Sequence, residues 1–253
     1  MKKNKSNISM RDEFIRLDDD SSFTFVEAYK TLRTNLSFSL AQREYKRLLV
    51  TSSLPSEGKS TTSVSLGTVF AQTGAKVLLI DADMRNPKLH RYFRQKNDIG
   101  LSSVLSNALD VDKVIYATKT ENLYLIKSGP IPPNPAELLD GKFMDPMLQK
   151  LEELFDYIIF DTPPLNVVTD SLCIAQHKTS VLFVVSEKNS THEEFKKSLR
   201  AIDMANADLI GVVLNNSKEE KNSKYYKKYG YSYGERPSAR DSLTQRQIRR
   251  DSE

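Results

Sequence analysis

Six short apolar runs punctuate the chain between Lys46 and Ser217: Arg47–Ser52, Val77–Asp81, Leu123–Lys127, Tyr157–Asp161, Val181–Ser186 and Leu209–Asn215. Each is nearly continuous in hydrophobicity rather than alternating. That pattern marks strands buried on both faces. Between them lie helical patterns at Ser60–Gln72, Gly100–Leu105, Ala136–Phe155, Asp170–Gln176 and His192–Ala207. Strands alternating with helices predict an α/β fold: a mostly parallel central sheet with helices on both faces. Ligand groups then collect at the carboxyl ends of the strands. A further helix is expected at 24–40, ahead of the first strand, with Phe25, Leu32, Leu36 and Leu40 facing a neighbour.

The ends look different. Residues 218–253 are rich in charge and tyrosine and poor in aliphatics, which predicts a flexible tail. Residues 1–20 are expected to be flexible too, leaving one domain over 21–217. The first residues carry charge with no apolar stretch behind them, unlike a signal peptide. No run reaches the roughly 20 apolar residues of a membrane span. Cys173 is the single cysteine, so no internal disulfide can form, and a cytoplasmic setting is expected. The net charge of +4 is modest and does not by itself call for nucleic acid.

The chemistry begins where the first strand ends. Ser53-Leu54-Pro55-Ser56-Glu57-Gly58-Lys59-Ser60-Thr61 follows the apolar Leu48-Leu49-Val50 and opens a helix. This is the setting of a phosphate-binding loop, with backbone amides and a helix N-terminus aimed at anions. Gly58 allows close backbone approach. Lys59 reaches outer phosphates, and the Ser60 hydroxyl ligates magnesium. Ser53 replaces the first glycine of the usual pattern. Ser53, Pro55, Ser56, Glu57, Gly58, Lys59, Ser60 and Thr61 are therefore candidate phosphate contacts, and Asn215 at the end of the last strand is a candidate base contact.

Three carboxylates also end strands: Asp81 and Asp83 after Val77-Leu78-Leu79-Ile80, and Asp161 after Tyr157-Ile158-Ile159-Phe160. Beside a phosphate loop they point to magnesium, a hard ion that takes oxygen ligands. One of them can also accept the proton of an attacking hydroxyl. Asp81 and Asp83 would point to opposite faces if the strand ran through both.

Tyr225, Tyr226, Tyr229, Tyr231 and Tyr233 crowd into the tail among Lys224, Lys227 and Lys228. With no aliphatic partners, they do not read as core residues. Phosphoacceptor hydroxyls and stacking on single-stranded nucleic acid both remain open at this point.

The combination resembles the bacterial tyrosine kinases, in the separate cytoplasmic form that acts in capsule and exopolysaccharide synthesis. The resemblance rests on the phosphate loop, Leu78-Leu79-Ile80-Asp81-Ala82-Asp83-Met84-Arg85, Ser128-Gly129-Pro130-Ile131-Pro132-Pro133-Asn134-Pro135-Ala136-Glu137-Leu138-Leu139, Phe160-Asp161-Thr162-Pro163-Pro164 and the tyrosine cluster. It implies ATP and Mg²⁺ as cofactors. It implies Lys59, Asp81 and Asp83 as catalytic, with Asp81 activating the incoming tyrosine, and Ser60, Asp83 and Asp161 as the magnesium set. It implies autophosphorylation of the tyrosine cluster by a neighbouring subunit in a ring. Glu27, Lys30 and Arg33 resemble the family's interface motif, with Lys30 where an arginine is usual. The implied partners are a membrane-embedded activator of the polysaccharide chain-length type, which recruits the kinase to the inner face of the membrane, and a cognate tyrosine phosphatase. No nucleic acid is expected.

Two rivals remain. Partition and division-site ATPases share the strand-end carboxylates but carry a signature lysine where this chain has Leu54. A nucleotide-dependent scaffold would have its tail phosphorylated by another kinase.

Overall fold

The computed structural model describes residues 21–217. The expectations for residues 1–20 and 218–253, including the tyrosine cluster, lie outside them. In chain order the elements are α1 (Phe23–Ala41), β1 (Arg47–Ser52), α2 (Lys59–Ala71), β2 (Val77–Asp81), α3 (Leu89–Tyr92), α4 (Leu101–Leu105), a 3₁₀ turn (Val111–Val114), β3 (Ile115–Ala117), β4 (Leu123–Ile126), α5 (Pro135–Leu139), α6 (Met144–Glu152), β5 (Tyr157–Asp161), α7 (Asp170–Gln176), β6 (Ser180–Ser186), α8 (His192–Met204) and β7 (Leu209–Asn215).

The strands form one seven-stranded sheet in the order β3-β4-β2-β5-β1-β6-β7. All neighbours are parallel except β3, which runs antiparallel to β4. The fully buried β1 and β2, and β5, buried from Ile158 onward, lie at its centre, as their continuous apolar runs require. Successive residues serve opposite faces. Leu48 and Val50 join α1 and α2 through Leu36, Val64, Leu66 and Phe70. Leu49 joins the layer of α4, α6, α7 and α8 through Leu101, Leu151, Ile174 and Ile202.

Three local readings change. The single helix expected over Ala136–Phe155 is two, α5 and α6, broken at Asp140–Phe143. Gly141 N–H returns to Leu138 O at 3.2 Å there, turning the chain. β3 has three residues and an exposed end, too short to leave a pattern. The neighbour of α1 is α2 of the same chain: Leu36 and Leu40 are buried, and Phe25 and Leu32 are partly so.

Candidate active site

β1 delivers the chain directly into the loop at 53–58, and α2 begins at Lys59. Gly58 sits in the left-handed region, with φ 99°. A Cβ there would lie 2.0 Å from Nδ2 of Asn215. That amide donates to the Glu57 carbonyl at 3.0 Å. So Asn215, expected at the base, here braces the phosphate loop.

Glu57 is fully buried, and its carboxylate turns away from the loop's open side. It accepts the Leu54 N–H at 2.9 Å and the Ser190 hydroxyl. Asn189 adds a bond from Nδ2 to the Ser56 carbonyl at 3.2 Å. The β6–α8 connection thus holds the loop's tip. Ser53 is buried beneath α8, where its hydroxyl accepts from Ser198 at 3.1 Å. Its side chain supports the loop from below. Pro55 and Ser56 are exposed at the tip. The Thr61 hydroxyl meets that of Tyr92 at 3.0 Å.

Lys59 is buried, and burial pulls its ammonium below the usual lysine range while Asp161 opposes the shift. Asp161 lies at the end of β5, where burial lifts its carboxyl to about 6. The Ser60 hydroxyl and the Lys59 charge hold it back from going higher. Ser63 donates to the same carboxylate at 3.2 Å. Serine, lysine and aspartate are therefore one unit at the start of α2.

Asp81 is the register partner of Asp161 on the adjacent strand. It is fully buried. Burial, then the Asp161 charge, lifts its carboxyl well above the usual carboxylate range. Its Oδ2 accepts the N–H groups of Lys88 at 3.0 Å and Leu89 at 2.8 Å, tying down the start of α3. Its Oδ1 is buried without a hydrogen-bond partner. The strand ends at Asp81, so Asp83 lies in the following loop, half-buried, accepting the Asn86 N–H at 3.0 Å. Burial raises its pKa as well. Asp83 is the carboxylate of the three that reaches the surface.

These groups suit a magnesium nucleotide. The donors are hard oxygens, Lys59 is a buried cation, and an acceptor oxygen of Asp81 stands unpaired. Among the described residues no three acidic, His or Cys side chains converge to cage a metal by themselves. Mg²⁺ held by Ser60 and one or two carboxylates, with phosphates completing its shell, matches that arrangement.

Sequence reasoning missed two contacts. Arg85 makes two bonds to the buried Asp170, 2.9 Å from Nε and 3.0 Å from Nη2, joining the loop after β2 to the start of α7. The Glu57–Ser190 brace is the other. Both pair residues far apart in sequence, where no local spacing could reveal them. On α1, Lys30 pairs with Glu27 at 2.8 Å, and Arg33 donates to the Val69 carbonyl of α2 at 3.2 Å. The structure therefore places these three on the surface of the α1–α2 layer, with Arg33 partly committed to its own chain.

Comparison with known proteins places this geometry. The AAA domain family matches residues 56–210. The tyrosine-protein kinase YwqD of Bacillus subtilis is 40% identical over 199 residues, 79% of this chain and 84% of the relative. The chain belongs to the bacterial tyrosine-kinase family. The tyrosine-protein kinase CpsD of Streptococcus agalactiae is 36% identical to this kinase, over 85% of its length and 92% of the relative. The kinase domain of the Escherichia coli tyrosine kinase ETK superposes with a TM-score of 0.72 at 34% identity, covering 75% of this kinase and 74% of that chain. The kinase fold is that of a P-loop nucleoside triphosphatase, as the sequence pattern implied. Among its described residues no helix is long and apolar enough to cross a membrane.

Proposed function

We propose that this tyrosine kinase transfers the γ-phosphoryl of Mg-ATP to Tyr225, Tyr226, Tyr229, Tyr231 and Tyr233 of a neighbouring copy. The observation that carries the reading is the unit of Lys59, Ser60 and Asp161 set against the unpaired Oδ1 of Asp81. Phosphoryl transfer asks mainly for positioning and charge neutralisation. Loop amides and Lys59 neutralise the phosphates. Ser60, Asp161 and Asp83 would hold the magnesium, which would supply further positive charge to the phosphoryl oxygens. Asp81 offers its unpaired Oδ1 to the proton of the incoming phenol. Asn215, at the edge of the loop, also contacts the base.

Membership of the family supports a wider setting. The kinase acts in the cytoplasm at the inner membrane face. A membrane-embedded activator of the polysaccharide chain-length type recruits it, a ring of copies packs through Glu27, Lys30 and Arg33, and a cognate phosphatase resets the tail. Its output regulates capsular or exopolysaccharide synthesis. The partition-type rival lacks support at Leu54, which stands where its bridging lysine belongs.

Deleting residues 225–233 tests the acceptor assignment. The truncated protein should bind Mg-ATP like the full chain and lose most phosphotyrosine when incubated with Mg-ATP and the activator's cytoplasmic segment. Label retained at the full level places the acceptors elsewhere. Label that depends on an added second kinase favours the scaffold rival.

A further inference from the structure

The carboxyl ends of β4, β2 and β5 lie side by side in the sheet, with the Asp81–Arg85 loop in the middle. The flanking loops each present a large apolar side chain to solvent: Ile131 after β4, 64% exposed, and Val167 after β5, 58% exposed. Exposed single apolar residues are ordinary. These two differ because their loops are pinned. Below Ile131, Gly129 exchanges two bonds with the Asn97 side chain at 2.8 and 2.9 Å, and the Pro130 carbonyl accepts from Ser102 at 2.7 Å. Around Val167, the Leu165 and Asn166 N–H groups bond to Ser52 and Ser53 at 2.8 and 3.2 Å, and Arg85 locks the loop's far end through Asp170. The fold spends backbone and side-chain bonds to hold two apolar groups outward, on either side of the catalytic loop.

We propose that Ile131 and Val167 form the walls that receive the acceptor tyrosine, supplied by the 225–233 segment of a second copy. This rests on the kinase reading above and adds its specificity-determining residues. A phenol has an apolar body and a polar tip. Apolar walls grip the ring while the hydroxyl reaches towards Asp81 and the phosphates. A segment with five tyrosines among nine residues offers several registers to such a clamp. The occupant comes from another copy for a topological reason. β7 lies four strands from β2, with β1 and its phosphate loop between them. The direct line along the rim from β7 to β2 passes over that loop, which favours an occupant supplied by a second copy.

The test uses full-length donors and a size-tagged, full-length Lys59→Met chain as acceptor. Donors carrying Ile131→Asp and Val167→Asp should need at least about tenfold more acceptor for half-maximal transfer, the loss expected when an apolar contact of this size is removed. Their affinity for a fluorescent ATP analogue and their melting temperature should match wild type, since both side chains are exposed. Ile131→Leu and Val167→Ile should transfer normally, and so should Phe38→Asp, which alters an equally exposed residue on α1. The inference is overturned if the double Asp donor transfers normally, if its nucleotide affinity falls in parallel, or if only a chain's own tail is ever labelled. A wild-type donor that labels no tyrosine anywhere fails the kinase reading first.

Discussion

At the scale of single residues, the site depends on Gly58, where the backbone conformation and a neighbouring side chain leave no latitude. Gly58 must adopt a positive φ with the Asn215 amide against it. Gly58→Ala is expected to cost about 1–2 kcal/mol from the left-handed conformation alone. It would also push Asn215 off the Glu57 carbonyl. Nucleotide affinity, measured by titration, should fall at least about tenfold, whereas Gly74→Ala, at a positive φ with open space around it, should lower stability only. Lys59, Gly58 and the three aspartates were legible because each stands at a fixed offset from a strand end. The direction of each side chain was not. Glu57 and Ser53 read as phosphate contacts from spacing, but the first is held by Ser190 and the second by Ser198, residues more than a hundred positions away.

At the scale of elements, continuous apolar runs located six strands, because burial on both faces leaves little room for polar residues. The seventh, β3, is an antiparallel edge of three residues whose pairing with β4 comes from tertiary context. The break between α5 and α6 was hidden for a similar reason, since helical periodicity continues on both sides of Gly141. The outer end of the sheet is fastened to the turn between α1 and β1 by an ion pair. Arg43 donates from Nη2 to Asp208 at 2.8 Å and from Nε to the other carboxylate oxygen. These hydrogen bonds hold the Asp208 carboxyl below its usual range. A depressed carboxylate stabilises the fold above its unfolded pKa and stops doing so as the pH falls through its folded value. Asp208→Asn should therefore destabilise the protein at neutral pH by less than about 1 kcal/mol, as an exposed pair warrants. The gap between variant and wild-type melting temperatures should close as the pH drops through the acid range. A gap that widens on acidification contradicts the assignment.

At the scale of the whole molecule, a parallel sheet gathers its carboxyl ends into one rim, and the chemistry sits there. The phosphate loop, the paired Asp81 and Asp161, the open Asp83 and the flanking Ile131 and Val167 all lie at strand ends of the same edge. The proposed acceptors, Tyr225, Tyr226, Tyr229, Tyr231 and Tyr233, follow β7 in the chain, and we propose that one copy phosphorylates those of another. The measurement that tests this most directly mixes wild-type chain with tagged Lys59→Met chain in Mg-ATP and reads phosphotyrosine on each. Met fills the volume of the buried lysine without its charge. The Lys59→Met chain alone should stay unlabelled, and it should gain phosphotyrosine once wild-type chain is added. Equal labelling of the variant and the wild type, each incubated alone, would contradict the account.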